Sequence, residues 1–171
     1  MRKIVAGFAI SLDGYMEGPN GEYDWMTATL DPGHDFSTSM KRFDTFLYGR
    51  RTYEKVLPFG PSFAGFSNYV FSTTLKNAVP PFMLVAGPID QFVGKLRQNP
   101  GKDIALYGGA DLLASFLELK LIDEIAMTIV PVVLGSGKPA VGFLETFKWL
   151  KLADVKQFKR GNVQLTYEVD K

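Results

Sequence analysis

Two short segments of the sequence carry residue types that bind an anion. Leu47-Tyr48-Gly49-Arg50-Arg51-Thr52-Tyr53-Glu54 sets a glycine, two cations and a hydroxyl where an apolar run meets a helical pattern. Tyr107-Gly108-Gly109-Ala110-Asp111-Leu112 sets a glycine pair at a second junction of the same kind. Phosphate binding suits both. Glycine lets the backbone approach a ligand, the first N–H groups of a helix lack an intrahelical acceptor, and arginine brings charged, forked donors. Ser72-Thr73-Thr74 adds three hydroxyls after a further apolar run. Each segment also has a plainer reading taken singly: Gly108-Gly109 as a close crossing of strand and helix, Arg50-Arg51 as a solvated pair.

The elements that must position these residues follow from periodicity. Strands are expected over 3–11, 45–48, 68–72, 82–86 and 104–107, with a long glycine-rich loop after the first. Helices are expected from Asp31-Pro32, with Phe36, Met40 and Phe43 inward; from Arg51; from Gly87-Pro88 to Gln98; and over 110–120. Beyond Asp123 the pattern is strands only: 124–133, 149–159, and an alternating final strand after a two-residue turn at Gly161-Asn162. Strands alternating with helices predict an α/β fold with a largely parallel sheet, to which the tail adds antiparallel strands. Ligands of such sheets sit at the carboxyl ends of the strands, where all three polar turns fall. Together they suit a dinucleotide bearing a 2′-phosphate. The G-x-G-x-x-G fingerprint of the common dinucleotide fold is absent.

Composition narrows the partners. A chain of 171 residues with 46% hydrophobic content reads as one domain, 1–171, able to cover a sheet on both faces. A net charge of +1 gives no general attraction to nucleic acid or membrane, so an anion must be held locally. No apolar stretch approaches the roughly 20 residues of a membrane span, and no export signal is read at the start. Absence of cysteine fits a reducing cytoplasm and removes thiolate metal sites. His34, the one histidine, has no partner cluster, so no metal is expected.

Further segments make the pattern specific: Ser11-Leu12-Asp13-Gly14, Asp24-Trp25, Phe71-Ser72-Thr73-Thr74, Leu121-Ile122-Asp123-Glu124 and Pro131-Val132-Val133-Leu134-Gly135-Ser136-Gly137. With the two junctions above, these run in the order that resembles the dihydrofolate-reductase-like superfamily. Within it, the chain is similar to small single-domain proteins akin to the reductase domain of the bifunctional riboflavin-biosynthesis protein. The resemblance implies a three-layer α/β/α sandwich and an NADPH-dependent reductase acting on a small heterocycle or carbonyl. The nearest named activity is 5-amino-6-(5-phosphoribosylamino)uracil reductase. Gly49, Arg50, Arg51 and Thr52 would hold adenosine phosphates, and Ser72, Thr73 and Thr74 would lie by the 2′-phosphate and adenine. Gly108, Gly109, Ala110, Asp111 and Leu112 would close over the pyrophosphate and nicotinamide side, and the backbone at Ala9 and Ile10 would meet the carboxamide.

On the substrate side, Asp13 reads as a polar group at the pocket mouth or as an Asp-Gly turn, and Trp25 as a wall over substrate or an anchor of its loop. Asp35 is a second catalytic candidate beside the reading of a solvated aspartate. Pro131, Leu134 and Gly135 resemble a segment lining the substrate end. Reduction of dihydrofolate, and an NADPH-binding sensor without turnover, stand as alternative functions. A homodimer is expected, with the apolar run 127–134 extending beyond one core.

Overall fold

The computed structural model describes residues 1–31, 39–59 and 65–170. In chain order the elements are β1 (Ile4–Ser11), β2 (Tyr15–Glu17), α1 (Trp25–Ala28), β3 (Phe43–Gly49), α2 (Arg50–Val56), β4 (Ser67–Phe71) and β5 (Phe82–Val85). There follow α3 (Ile89–Gln98), β6 (Asp103–Leu106), α4 (Ala110–Glu118), β7 (Glu124–Val130), β8 (Lys138–Pro139), β9 (Leu150–Gln157) and β10 (Val163–Val169). Among the described residues the main sheet has the order β5-β4-β3-β6-β1-β7-β10-β9. It is parallel from β5 to β7, and β10 is antiparallel to both its neighbours. β2 and β8 form a separate antiparallel pair.

The sheet is covered on two faces because its strands alternate between two apolar sets. Leu47, Ile104, Leu106, Tyr69 and Phe71 pack with Val93 and Leu96 of α3 and with Leu113, Phe116 and Leu117 of α4. Their chain neighbours Phe46, Tyr48, Ala105 and Val70 turn to the other face and pack with Tyr53 and Val56 of α2. That period of two, buried on both sides, is what a parallel sheet between helical layers requires. The result is the expected α/β/α sandwich.

The amino-terminal edge of the sheet is fastened by ions. Arg42 bridges Asp103 (2.7 Å) and Glu124 (2.6 Å), and Arg97 reaches Asp123 (2.6 Å). The same carboxylates accept the N–H of Lys3 and Ile4 at the start of β1. Asp123 and Glu124, singled out by the sequence, therefore serve the end of the sheet remote from the polar turns.

Three expectations change. Phe43, expected on the inner side of a helix, instead opens β3. β7 stops at Val130 rather than continuing to 133, because Pro131 has no N–H for the ladder. The last hairpin turns through Lys159, Arg160 and Gly161: Phe158 N–H donates to Asn162 O, and Gly161 alone of the turn takes a positive φ, +93°. A two-residue type I′ turn needs positive φ at both central residues, whereas a three-residue loop needs it only at its last, which is the glycine. Asp35, His34 and most of the helix expected from Asp31-Pro32 lie outside the described residues.

Candidate active site

β4, β3 and β6 are neighbours, so Ser72, Gly49 and Gly108 leave the sheet along one rim. The two glycine junctions are bonded directly, Gly49 N–H donating to Gly108 O at 2.8 Å. Gly108 has φ +113°, a conformation L side chains rarely adopt, and the next peptide, Gly108–Gly109, is cis. Thr52 Oγ1 lies 3.5 Å and 3.4 Å from the points that Cβ atoms on Gly108 and Gly109 would occupy, an ordinary contact, so it is the positive φ of Gly108 and not a lack of space that calls for glycine here.

Above this rim opens a cavity of about 490 Å³. Its wall includes Gly49, Arg50, Arg51 and Thr52 from the first junction, Ser72, Thr73 and Thr74 after β4, and Gly109, Ala110, Asp111 and Leu112 from the second junction. The first bond of the α4 ladder runs from Leu113 N–H to Gly109 O (2.9 Å), so the N–H groups of Ala110, Asp111 and Leu112 precede it. Arg50 is 3.6 Å from Glu54 one turn on, and Arg51 has no ion pair among the described residues. Ser72 Oγ accepts from Thr74 N–H (3.2 Å) and Leu75 N–H (3.0 Å), fixing the turn that presents the hydroxyls. Cations, hydroxyls and oriented N–H groups on one concave wall make an anion site.

The profile of the RibD C-terminal domain family matches residues 2–164. The chain belongs to this family. It is 36% identical over 179 residues to the Bacillus subtilis protein YyaP, covering 97% of this chain and 94% of that one. A crystal structure of a putative riboflavin biosynthesis protein from Shewanella sp. PV-4 superimposes with a TM-score of 0.86 at 28% identity, covering 99% of both chains. Dihydrofolate reductase from Enterococcus faecalis, complexed with NADP(H), has a TM-score of 0.68 at 13% identity over 99% of this chain and 97% of its own, a likeness of fold.

Within this RibD-type domain, Gly108 and Gly109 border a closed apolar crevice with Phe8 and Met16 that has no room for a ligand. The ladder between β1 and β6 ends at Ala6 and Leu106, whereas that with β7 continues to Ser11. The stretch holding Ala9 and Ile10 thus has no ladder partner on its β6 side among the described residues. Neither residue is part of the main cavity's wall.

The substrate-side candidates separate. Asp13 Oδ1 and Oδ2 accept the N–H groups of Leu134 (3.1 Å) and Gly135 (2.7 Å), which joins three of the named residues. The Asp13 carboxyl is lowered to about 2, chiefly by its hydrogen bond with the Ser11 side chain and then by those two backbone donors. It is ionised at neutral pH and committed to holding the loop after β7. Trp25 is half-buried in α1 and donates its indole N–H to Glu22 O (3.2 Å), and exposed Pro131 lies against the turn at Gly161.

Sequence reasoning missed Phe71, Val85, Ala86, Gly87, Ile89, Ser115 and Lys138 in the cavity wall. Residues 85–87 end β5 and follow it, so the carboxyl-end rule that found the other turns also covers them. Ser115 is one helical turn from Asp111 and shares its side of α4. Lys138 had no signal, because the short β2–β8 pairing that brings it here has no periodicity to read.

Proposed function

We propose that this domain is an NADPH-dependent reductase of a small heterocyclic or carbonyl substrate, with the pyrimidine reduction of riboflavin biosynthesis as the nearest activity. The observation that carries the reading is the shared wall of the cavity: Arg50 and Arg51, the hydroxyls of residues 72–74 and the start of α4 surround one space. Its two ends lie two strands apart, roughly 10 Å at the usual strand spacing. A dinucleotide with phosphates at both places fits that span. Membership of a reductase-domain family and a fold shared with an NADP(H)-bound reductase support the same cofactor.

When bound, NADPH supplies the hydride. The chain's own part is placement: Arg50 and Arg51 neutralise phosphate, Thr52 and Thr73 donate hydroxyls to it, Ala110 to Leu112 donate N–H groups, and the backbone near Ala9 and Ile10 orients the carboxamide. Asp13 holds the loop at Leu134 and Gly135 against the end of β1 and so shapes the substrate entrance. As an ionised carboxylate it does not donate the proton that accompanies hydride, which comes from solvent or from Asp35. Incubation with NADPH and a panel of pteridines, pyrimidines and small carbonyls should show loss of nicotinamide absorbance with at least one. Tight NADPH binding without any turnover would favour the sensor reading.

We also propose a homodimer through the carboxyl-terminal half, centred on β9 rather than on the run 127–134. β7 is flanked by β1 and β10 and has no free edge. β9 is the edge strand, exposed along its whole length, and Leu150, Leu152 and Val155 project from it near Trp149, which is 74% exposed. A second copy covering this face would bury the apolar side chains that one chain leaves in water.

A further inference from the structure

We propose that Lys138 is a ligand of the bound cofactor's diphosphate, delivered by the β2–β8 pair. The inference rests on the dinucleotide reading above and adds to it a charge from outside the two glycine junctions. Lys138 lines the cavity, is half-buried, and has no hydrogen-bond or ion-pair partner among the described residues. Its Nζ lies 4.0 Å from the point a Cβ on Gly109 would occupy, beside the residue that opens α4. An unpaired ammonium turned into a cavity next to unbonded helix N–H groups needs an anion to offset its loss of water.

The segment around Lys138 is built to hold it there. Asp13 clamps Leu134 and Gly135 at one end, and Gly142 N–H donates to Ala110 O (3.1 Å) at the other. Between them Glu17 is the register partner of Lys138. Gly137 takes φ +153°, and a Cβ there would lie 2.1 Å from Glu17 O, so only glycine allows β8 this close to β2. Asp13, Gly137 and Ala110 thus fix a strap across the rim, and the strap carries one cation to the cavity.

Position decides which phosphate it meets. Lys138 stands at the β6 end, by Gly109, whereas the hydroxyls of residues 72–74 follow β4, two strands away. The charge therefore acts on the diphosphate common to NADPH and NADH, and leaves the 2′-phosphate to Arg50, Arg51 and the hydroxyls.

The test is titration calorimetry of wild type, Lys138→Met and Lys138→Arg with NADPH, NADH, ADP-ribose and adenosine 2′-monophosphate, with thermal melting as the check of folding. Lys138→Met should weaken NADPH, NADH and ADP-ribose equally, by about tenfold, and leave adenosine 2′-monophosphate unchanged. Lys138→Arg should restore most of the loss. Wild-type affinity for ADP-ribose in Lys138→Met, or a loss confined to ligands with a 2′-phosphate, overturns the assignment while leaving the cofactor reading intact. A wild type that binds none of the four overturns both.

Discussion

Replacing the two cavity arginines one at a time should separate phosphate recognition from general charge. Arg51 is exposed at the cavity wall with no competing carboxylate among the described residues, so its head group is available to a 2′-phosphate. A hydrogen bond to a charged group contributes about 1.5–3 kcal/mol, and exposure to water favours the lower end. Arg51→Ala should then cost about 1.5 kcal/mol, or roughly tenfold in Kd for NADPH. Arg50 starts 3.6 Å from Glu54 with 46% of its side chain exposed, and must give up that pair to bind phosphate. Its net contribution should be nearer ~1 kcal/mol, roughly fivefold. NADH, which lacks the 2′-phosphate, should lose far less with either variant, and the contrast should shrink as salt is raised. Fluorescence titration of both reduced nucleotides at two ionic strengths measures all of this. Equal losses for NADPH and NADH would refute the placement of these arginines, and a larger loss at Arg50 than at Arg51 would refute the part given to Glu54.

Four further outcomes are expected. Gly137→Ala must move β8 from β2 until the 2.1 Å approach to Glu17 O reaches at least 3.0 Å; it should cost more than about 1 kcal/mol in chemical denaturation and weaken NADPH and NADH together. Asp13→Asn leaves one acceptor oxygen and turns an amide donor toward one of the Leu134 and Gly135 N–H groups, and should lower the melting temperature. Because the Asp13 carboxyl is lowered from 3.8 to about 2, its stabilising effect is complete above 3.8 and lost only as pH falls through about 2; the melting-temperature difference from wild type should be constant between pH 5 and 8. Phe116→Ala, at a side chain with no exposure beneath α4, should cost about 3–5 kcal/mol in urea unfolding. Leu152→Glu on exposed β9 should convert a dimer to a monomer in sedimentation velocity, and a monomeric wild type would remove the proposed interface.

Much of the layer architecture was legible because burial on both faces leaves a signature in adjacent residues. Phe46, Leu47 and Tyr48 are all apolar, yet they divide between the two cores, and this is how a central parallel strand reads in sequence. Most of the cavity was legible too, since ligand turns of such a sheet follow strand ends and Gly49-Arg50-Arg51-Thr52 and Gly108-Gly109 do so. Contacts made by segments too short for periodicity were not. Lys138 depends on a three-residue strand meeting a two-residue one, and the part of Asp13 depends on N–H groups more than 120 positions away. The ions at the amino edge escaped notice for the same reason, because Arg42 meets Glu124 only through strand order. At Gly161 the glycine was recognised but the loop length was not, since a type I turn with one positive φ and a type I′ turn both place glycine there.

The most direct test is the crystal structure of the protein grown with saturating NADPH. The account predicts the dinucleotide in the cavity, its diphosphate between Lys138 and the first turn of α4, its 2′-phosphate among Arg50, Arg51 and residues 72–74, and its nicotinamide toward the end of β1 at Ala9 and Ile10. A cavity left empty at saturation, or nucleotide bound on another face of the sheet, would contradict it.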